Sequence, residues 1–211
     1  MNSATTPDSV YGHRRVPVKV GAPLTFVIQA GGLGRRLGGV AKGLIRLEGE
    51  RLIDRLLGLG EGWPSWVVAN APWPYEDLDV PVVGDVVPGC GAPGGVVTAL
   101  AVAQTEWVLT VACDMPFVTR AQVDALLAAA DPEVDVVCFS RGGQLEPLLA
   151  LYRRALLDAW APRLGAGPSL QALIRSARWR ALTLGDARAL DSVNTPADLA
   201  RAGASLAVKD S

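Results

Sequence analysis

Residues 29–43 read Gln-Ala-Gly-Gly-Leu-Gly-Arg-Arg-Leu-Gly-Gly-Val-Ala-Lys-Gly. Glycine lacks a side chain and tolerates positive φ, so consecutive amides in such a stretch can turn toward one anion. Arg35, Arg36 and Lys42 lie in the same segment. Arginine can grip phosphate oxygens as a fork, and lysine acts as a mobile point charge. Glycines and cations directly after an apolar run specify an anion site. Two familiar versions do not fit. A dinucleotide fingerprint beginning at Gly32 and Gly34 would need glycine where Leu37 stands, and a P-loop would need Ser or Thr after Lys42, where Gly43 stands.

A second feature is Asp114, in Val111-Ala-Cys-Asp-Met-Pro-Phe117. An apolar strand there delivers one carboxylate to its carboxyl end. Magnesium is held by one or two carboxylates together with substrate phosphates and water. Alone, a strand-end Asp reads equally well as a cap or turn residue. Paired with the glycine segment, it is expected to hold the metal.

Other chemistries have little to work with. The one histidine, His13, lies in a polar, Pro-containing stretch over residues 1–23, expected to be a mobile tail. Ser-His-Asp triads and histidine-rich metal sites are then hard to build. Cys90, Cys113 and Cys138 are widely spaced with no CxxC pair, which reads as reduced cytoplasmic cysteine. Lys and Arg total 20 against 21 Asp and Glu, so net charge −1 gives no general attraction to nucleic acid or anionic lipid. No apolar run approaches the ~18 residues of a membrane span, and the N-terminus lacks the pattern of a signal peptide.

These residues need a scaffold. Strands are expected over 24–30, 44–47, 66–69, 80–83, 107–112, 134–139 and 148–152. Helices are expected over 52–59, 96–104, 153–160, 169–176 and 196–202, and one runs from an N-cap at Thr119 to Ala130. The alternation predicts an α/β fold, a Rossmann-like, mostly parallel sheet with helices on both faces, in one domain over 24–211. Ligands of such sheets gather beyond the carboxyl ends of the strands. Gln29 to Gly32, Asn70, Asp85 and Asp114 all fall at such ends. Read without further context, Asn70 and Asp85 are equally ordinary turn residues, and Asn194 before Thr195-Pro196 a helix-start signal.

The pattern AGG-x-G-x-R-L-G-x-x-x-K resembles the signature of nucleotidyltransferases with the nucleotide-diphospho-sugar transferase-like fold. The version here is most similar to molybdenum cofactor guanylyltransferases of the MobA type. The likeness continues, in order, through Val67-Val-Ala-Asn70, Val82-Val-Gly-Asp85, Gly91-Ala-Pro-Gly-Gly95, Ala112-Cys-Asp-Met-Pro116, Glu146-Pro-Leu-Leu-Ala-Leu-Tyr152 and Val193-Asn-Thr-Pro-Ala-Asp198. It covers roughly residues 24–202. It implies transfer of GMP from Mg2+-bound GTP to molybdopterin or the molybdenum cofactor.

On that resemblance Gln29, Ala30, Gly31 and Gly32 line the GTP site. Lys42 contacts phosphate, Asn70 and Asp85 the nucleoside, and Asp114 the metal. Arg36, Lys42 and Asp114 are then the catalytic residues. Molybdoenzymes or cofactor-biosynthesis proteins are the partners such an enzyme would serve. The chain departs from the pattern at three places. Gln29 replaces the usual Leu, Ala41 stands where many relatives carry Asp, and Gly91-Ala-Pro-Gly-Gly95 replaces the usual Gly-Pro-Leu-Ala-Gly. Three alternatives stand beside this reading: CMP transfer to the same acceptor, nucleotide transfer to a sugar phosphate, and a non-catalytic nucleotide-binding module, the last motivated by Ala41.

Overall fold

Strand β1 (Leu24–Gln29) is buried along its whole length except at Gln29. Side chains alternate across a strand, so Leu24, Phe26 and Ile28 enter the core on one face while Val27 enters it on the other. A strand of this kind is stable only in the middle of a sheet covered on both sides. The computed structural model, which describes residues 24–34, 39–70, 74–184 and 187–209, places β1 in that position. The tail expected over 1–23 lies outside these residues.

β1 pairs in parallel with β6 (Ser65–Val68) and β8 (Trp107–Ala112), and β6 pairs in parallel with β7 (Val82–Val83). Beyond β8 comes β10 (Gln144–Arg153), antiparallel to β8 and to β9 (Val136–Arg141), and β11 (Trp179–Thr183) closes the edge parallel to β9. The seven-stranded order is β11-β9-β10-β8-β1-β6-β7. Helices α1 (Leu52–Leu59) and α3 (Arg120–Ala128) pack Ile53, Leu56, Val123 and Leu126 onto one face. Helices α2 (Gly91–Val102), α4 (Leu156–Trp160) and α5 (Leu170–Arg175) cover the other with Val96, Val97, Leu100, Trp160, Leu173 and Ile174. A mostly parallel sheet with helices on both faces was expected, and the structure has it. Among the described residues no helix is long and apolar enough to cross a membrane.

Several elements differ from expectation. α2 begins at Gly91, five positions before the expected start at 96. Glycine costs about 1 kcal/mol in a helix, which argues against Gly91, Gly94 and Gly95. Full burial of Val96, Val97 and Leu100 returns about 1.5–3 kcal/mol each, and packing wins. β10 is longer than expected and runs antiparallel, with a register shift between Glu146 and Ala150. β11 had no expected counterpart, since its half-exposed edge sequence carries no clear apolar alternation. Helix α6 (Pro196–Lys209) continues well past Ala202. Thr119 does precede α3, and the Gln122 side chain accepts its backbone N–H at 2.8 Å.

The chain runs from β1 outward to β6 and β7, then returns to the opposite side of β1 as β8. The topological switch point therefore lies between β1 and β8, where open α/β sheets bind ligands.

Candidate nucleotide site

At that switch point the carboxyl ends of β1, β6 and β8 open into a cavity of about 290 Å³. Gln29, Gly31 and Gly32 enter it from β1, Asn70 from β6 and Asp114 from β8. Asp85, two residues beyond β7, and Lys42 complete the set. Ala30 is buried just behind the wall, its N–H bonded to the Val68 carbonyl at 2.8 Å. Arg36 lies outside the described residues. Every other sequence-predicted site residue is thus at one edge of the sheet.

The route from Gly32 to Lys42 is clasped by two short strands, β2 (Leu33–Gly34) and β3 (Val40–Ala41), paired antiparallel. A 3-10 turn follows over Lys42–Leu44, so the strand expected over 44–47 is confined to β4 (Arg46–Leu47), which pairs antiparallel with β5 (Glu50–Arg51). Tyr75 supports the turn from below: its hydroxyl accepts the Gly43 N–H at 3.3 Å. A Cβ at Gly43 would lie 2.7 Å from that hydroxyl oxygen, so only glycine fits. Burial pushes the Tyr75 phenol pKa up, keeping it neutral.

The turn aims Lys42 into the cavity, where Nζ donates to Asp114 Oδ2 at 2.7 Å and to Asn194 Oδ1 at 2.5 Å. Both members of the ion pair are largely shielded, with 18% and 14% of their side chains exposed. Asn194 reaches this point because the Val193 N–H bonds the Asp114 carbonyl at 2.8 Å. Asp198 accepts the N–H groups of Asn194 and Thr195 at 3.0 and 2.8 Å, and Thr195 Oγ1 accepts the Asp198 N–H at 3.1 Å. The helix-start reading of this segment therefore holds for Thr195 and Asp198, while the Asn194 side chain turns to Lys42. Neighbouring Cys113 is buried, and burial, reinforced by the Asp114 charge, pushes its thiol up to about 12. It is no nucleophile near neutral pH.

Across the cavity, Asn70 and Asp85 form a reciprocal pair. Asn70 Nδ2 donates to Asp85 Oδ2 at 2.9 Å, and Asn70 Oδ1 accepts the Asp85 N–H at 3.1 Å. Behind them α2 is tied down by Thr98, whose hydroxyl accepts the Val86 N–H at 2.9 Å and donates to the Gly94 carbonyl at 2.8 Å. The site thus has a charged side at Lys42 and Asp114 and a polar, hydrogen-bonding side at Asn70 and Asp85.

Comparison with known proteins decides the family. The model of the MobA-like NTP transferase domain matches residues 26–182. The chain belongs to this family. It is 36% identical to a probable molybdenum cofactor guanylyltransferase of Chloroflexus aggregans, over 83% of this chain and 91% of that protein. It is 30% identical to a molybdenum cofactor guanylyltransferase of Vibrio cholerae, over 85% of this chain and 91% of that protein. Among solved structures it resembles molybdopterin-guanine dinucleotide biosynthesis protein A of Archaeoglobus fulgidus, with TM-score 0.72, 23% identity, and coverage of 87% and 99% of the two chains. A CMP:2-keto-3-deoxy-manno-octonic acid synthetase shares the fold, with TM-score 0.67 at 15% identity, over 89% of this chain and all of the other.

As a MobA-like transferase, the chain is a nucleotidyltransferase with the nucleotide-diphospho-sugar transferase-like fold expected from its glycine segment. Sequence reasoning missed three supporting residues of its cavity. Asn194 carried only a capping signal, Tyr75 none at all, and Gly95 entered only as the last residue of the Gly91–Gly95 segment, with no partner assigned. The first two are brought in by chain closure over long sequence distances, which no local pattern records.

Proposed function

We propose that this chain transfers GMP from magnesium-bound GTP to the terminal phosphate of molybdopterin or the molybdenum cofactor, releasing pyrophosphate. The observation that carries this reading is the shared cavity of Lys42, Asp114, Asn70 and Asp85 in a MobA-like chain whose relatives are named guanylyltransferases.

An acceptor phosphate oxygen attacks the α-phosphorus, the bond to the oxygen bridging to the β-phosphate breaks, and pyrophosphate leaves. The nucleophile is already anionic, so no general base has to be supplied. Catalysis then rests on positioning and charge neutralisation. An ammonium has three donors; Asp114 and Asn194 occupy two on Lys42, and the third is available for phosphate. Arg36 acts in the same sense, and Gln29, Ala30, Gly31 and Gly32 follow the nucleotide along the end of β1. Asp85, held by Asn70, accepts the adjacent N1–H and N2–H of guanine.

The residues present fit one magnesium ion. A carboxylate offers about four lone-pair sites, of which Lys42 takes one on Asp114. No cluster of three acidic, His or Cys side chains stands among the described residues, so the remaining ligands would be phosphate oxygens and water, as magnesium prefers. Bound there, it would neutralise triphosphate charge and polarise the reacting phosphorus. The reading takes residues 24–211 as one nucleotidyltransferase domain acting in the cytoplasm, and molybdoenzymes or cofactor-biosynthesis proteins as recipients of the product.

The test is incubation with magnesium, molybdopterin and either GTP or CTP, with the product identified by mass and pyrophosphate measured. A GMP adduct with stoichiometric pyrophosphate is expected. A preference for CTP would make the chain a cytidylyltransferase, and nucleotide binding without pyrophosphate a non-catalytic module.

A further inference from the structure

We infer that Gln29 and Gly95 are a coupled pair that sets the first turns of α2 against the cavity, an inference that rests on the nucleotide reading above. Gln29 Nε2 donates to the Gly95 carbonyl at 3.1 Å, joining positions 66 residues apart. A Cβ built at Gly95 would lie 2.2 Å from Gln29 Oε1 and 3.8 Å from Asp85 Oδ1. The carboxamide thus fills the space that any side chain at position 95 would need, beside the carboxylate assigned to the base. Gln29 is half-buried and lines the same cavity as Gly91, Ala92 and Gly95.

The consequence concerns the start of α2. Its N-cap residue, Cys90, makes no side-chain capping bond, and the first turn holds no acidic residue. The unpaired N–H groups and positive pole of that end are therefore neither neutralised nor anchored by a cap. Gly91 enters the helix at φ 58, a left-handed conformation that gives the entry no fixed side-chain hold. The bond from Gln29 to the Gly95 carbonyl is no cap for those N–H groups; it ties the second turn of the helix to β1, alongside the Thr98 bond to the Val86 N–H. Gln29 is a positioning residue, its carboxamide nitrogen paired with the Gly95 carbonyl before any nucleotide arrives, and Gly95 is glycine because Gln29 occupies its Cβ space.

The experiment is a double-mutant cycle read by calorimetric titration of Mg-GTP without acceptor, on wild type, Gln29→Ala, Gly95→Ala and the double variant, with melting temperatures in the same buffer. The atom that Gly95→Ala meets first is the end of a flexible side chain, so the fold is retained and the carboxamide swings into the cavity. Affinity should then fall about 10-fold or more, the effect of stranding a polar group in a site. Gln29→Ala loses one neutral hydrogen bond, about 3-fold in affinity. The double variant should match Gln29→Ala alone, because the new methyl enters vacated space and coupled sites are not additive. Losses that multiply to about 30-fold would overturn the pair by the same additivity criterion. So would Gly95→Ala binding like wild type, or melting far below it without recovery in the double variant. Wild type that binds CTP but not GTP would break the functional reading alone; the cycle is then run with CTP and judged by the same non-additivity. Wild type that binds neither removes both.

Discussion

At one end of the cavity Asn70 and Asp85 follow neighbouring strands, stand 15 residues apart and bond each other at 2.9 and 3.1 Å. At the other end Lys42 meets Asp114, 72 residues on, and Asn194, 152 residues away. The first end is set by the pairing of β6 with β7, a contact between consecutive strands. The second exists only once the segment before α6 has closed over the carboxyl end of β8. One end is therefore a product of local sheet assembly, the other of long-range closure. Charge follows the same division: the ion pair lies at the far-assembled end, where shielding strengthens it.

If the charged end carries the chemistry, Asp114→Asn should do the most damage. It keeps shape but removes the charge facing both magnesium and Lys42, and turnover should fall about 10²–10³-fold, the scale of losing a main electrostatic group. Circular dichroism should show the fold intact; near-normal turnover would end the metal assignment. Lys42→Ala comes next. A charge-assisted hydrogen bond is worth ~1.5–3 kcal/mol, so kcat/KM should drop about 10- to 200-fold.

The polar end predicts a change of selectivity rather than of rate. Competition between GTP and CTP in Asp85→Ala should lose a preference of about 5- to 150-fold, the cost of stranding a buried polar partner. A GTP preference that survives unchanged would leave the reaction in place but take Asp85 out of base recognition. Asn194→Ala tests the closure itself. Lys42 keeps Asp114 but loses its neutral partner, so kcat/KM should fall about 5-fold, with GTP/CTP selectivity unaltered. If selectivity moved with it, the two ends would not be separable.

The smallest effect is on pH dependence of stability. Burial, and then the Asp114 charge, raise the Glu146 carboxyl above its ordinary value. Because its folded pKa lies above its unfolded one, the protonated form is favoured by folding. Its contribution to stability is fully present below the ordinary carboxylate range and is lost as pH rises through the elevated folded value. Glu146→Gln should remove that decline, flattening the melting temperature against pH. A profile identical to wild type would separate Glu146 from the cavity's electrostatics.

The sequence by itself determined the α/β class, the buried first strand, the glycine-rich segment that follows it and the strand-end positions of Gln29, Asn70, Asp85 and Asp114. Each of these is written in a stretch short enough for local rules to act: an apolar run, a glycine cluster, a polar residue where the run stops. Tertiary structure decided what those rules cannot reach. α2 starts at Gly91 because the burial of Val96, Val97 and Leu100 outweighs three glycines. The reversed direction of β10 is set by its pairing with β8 and β9, and the half-exposed β11 gains its place only by joining the sheet beside β9. Asn194 reaches Lys42 because Val193 docks on Asp114, and Gly95 of α2 is glycine because the Gln29 side chain of β1 occupies its space. These are contacts between positions 66 to 152 residues apart, and only the folded chain brings them within bonding distance.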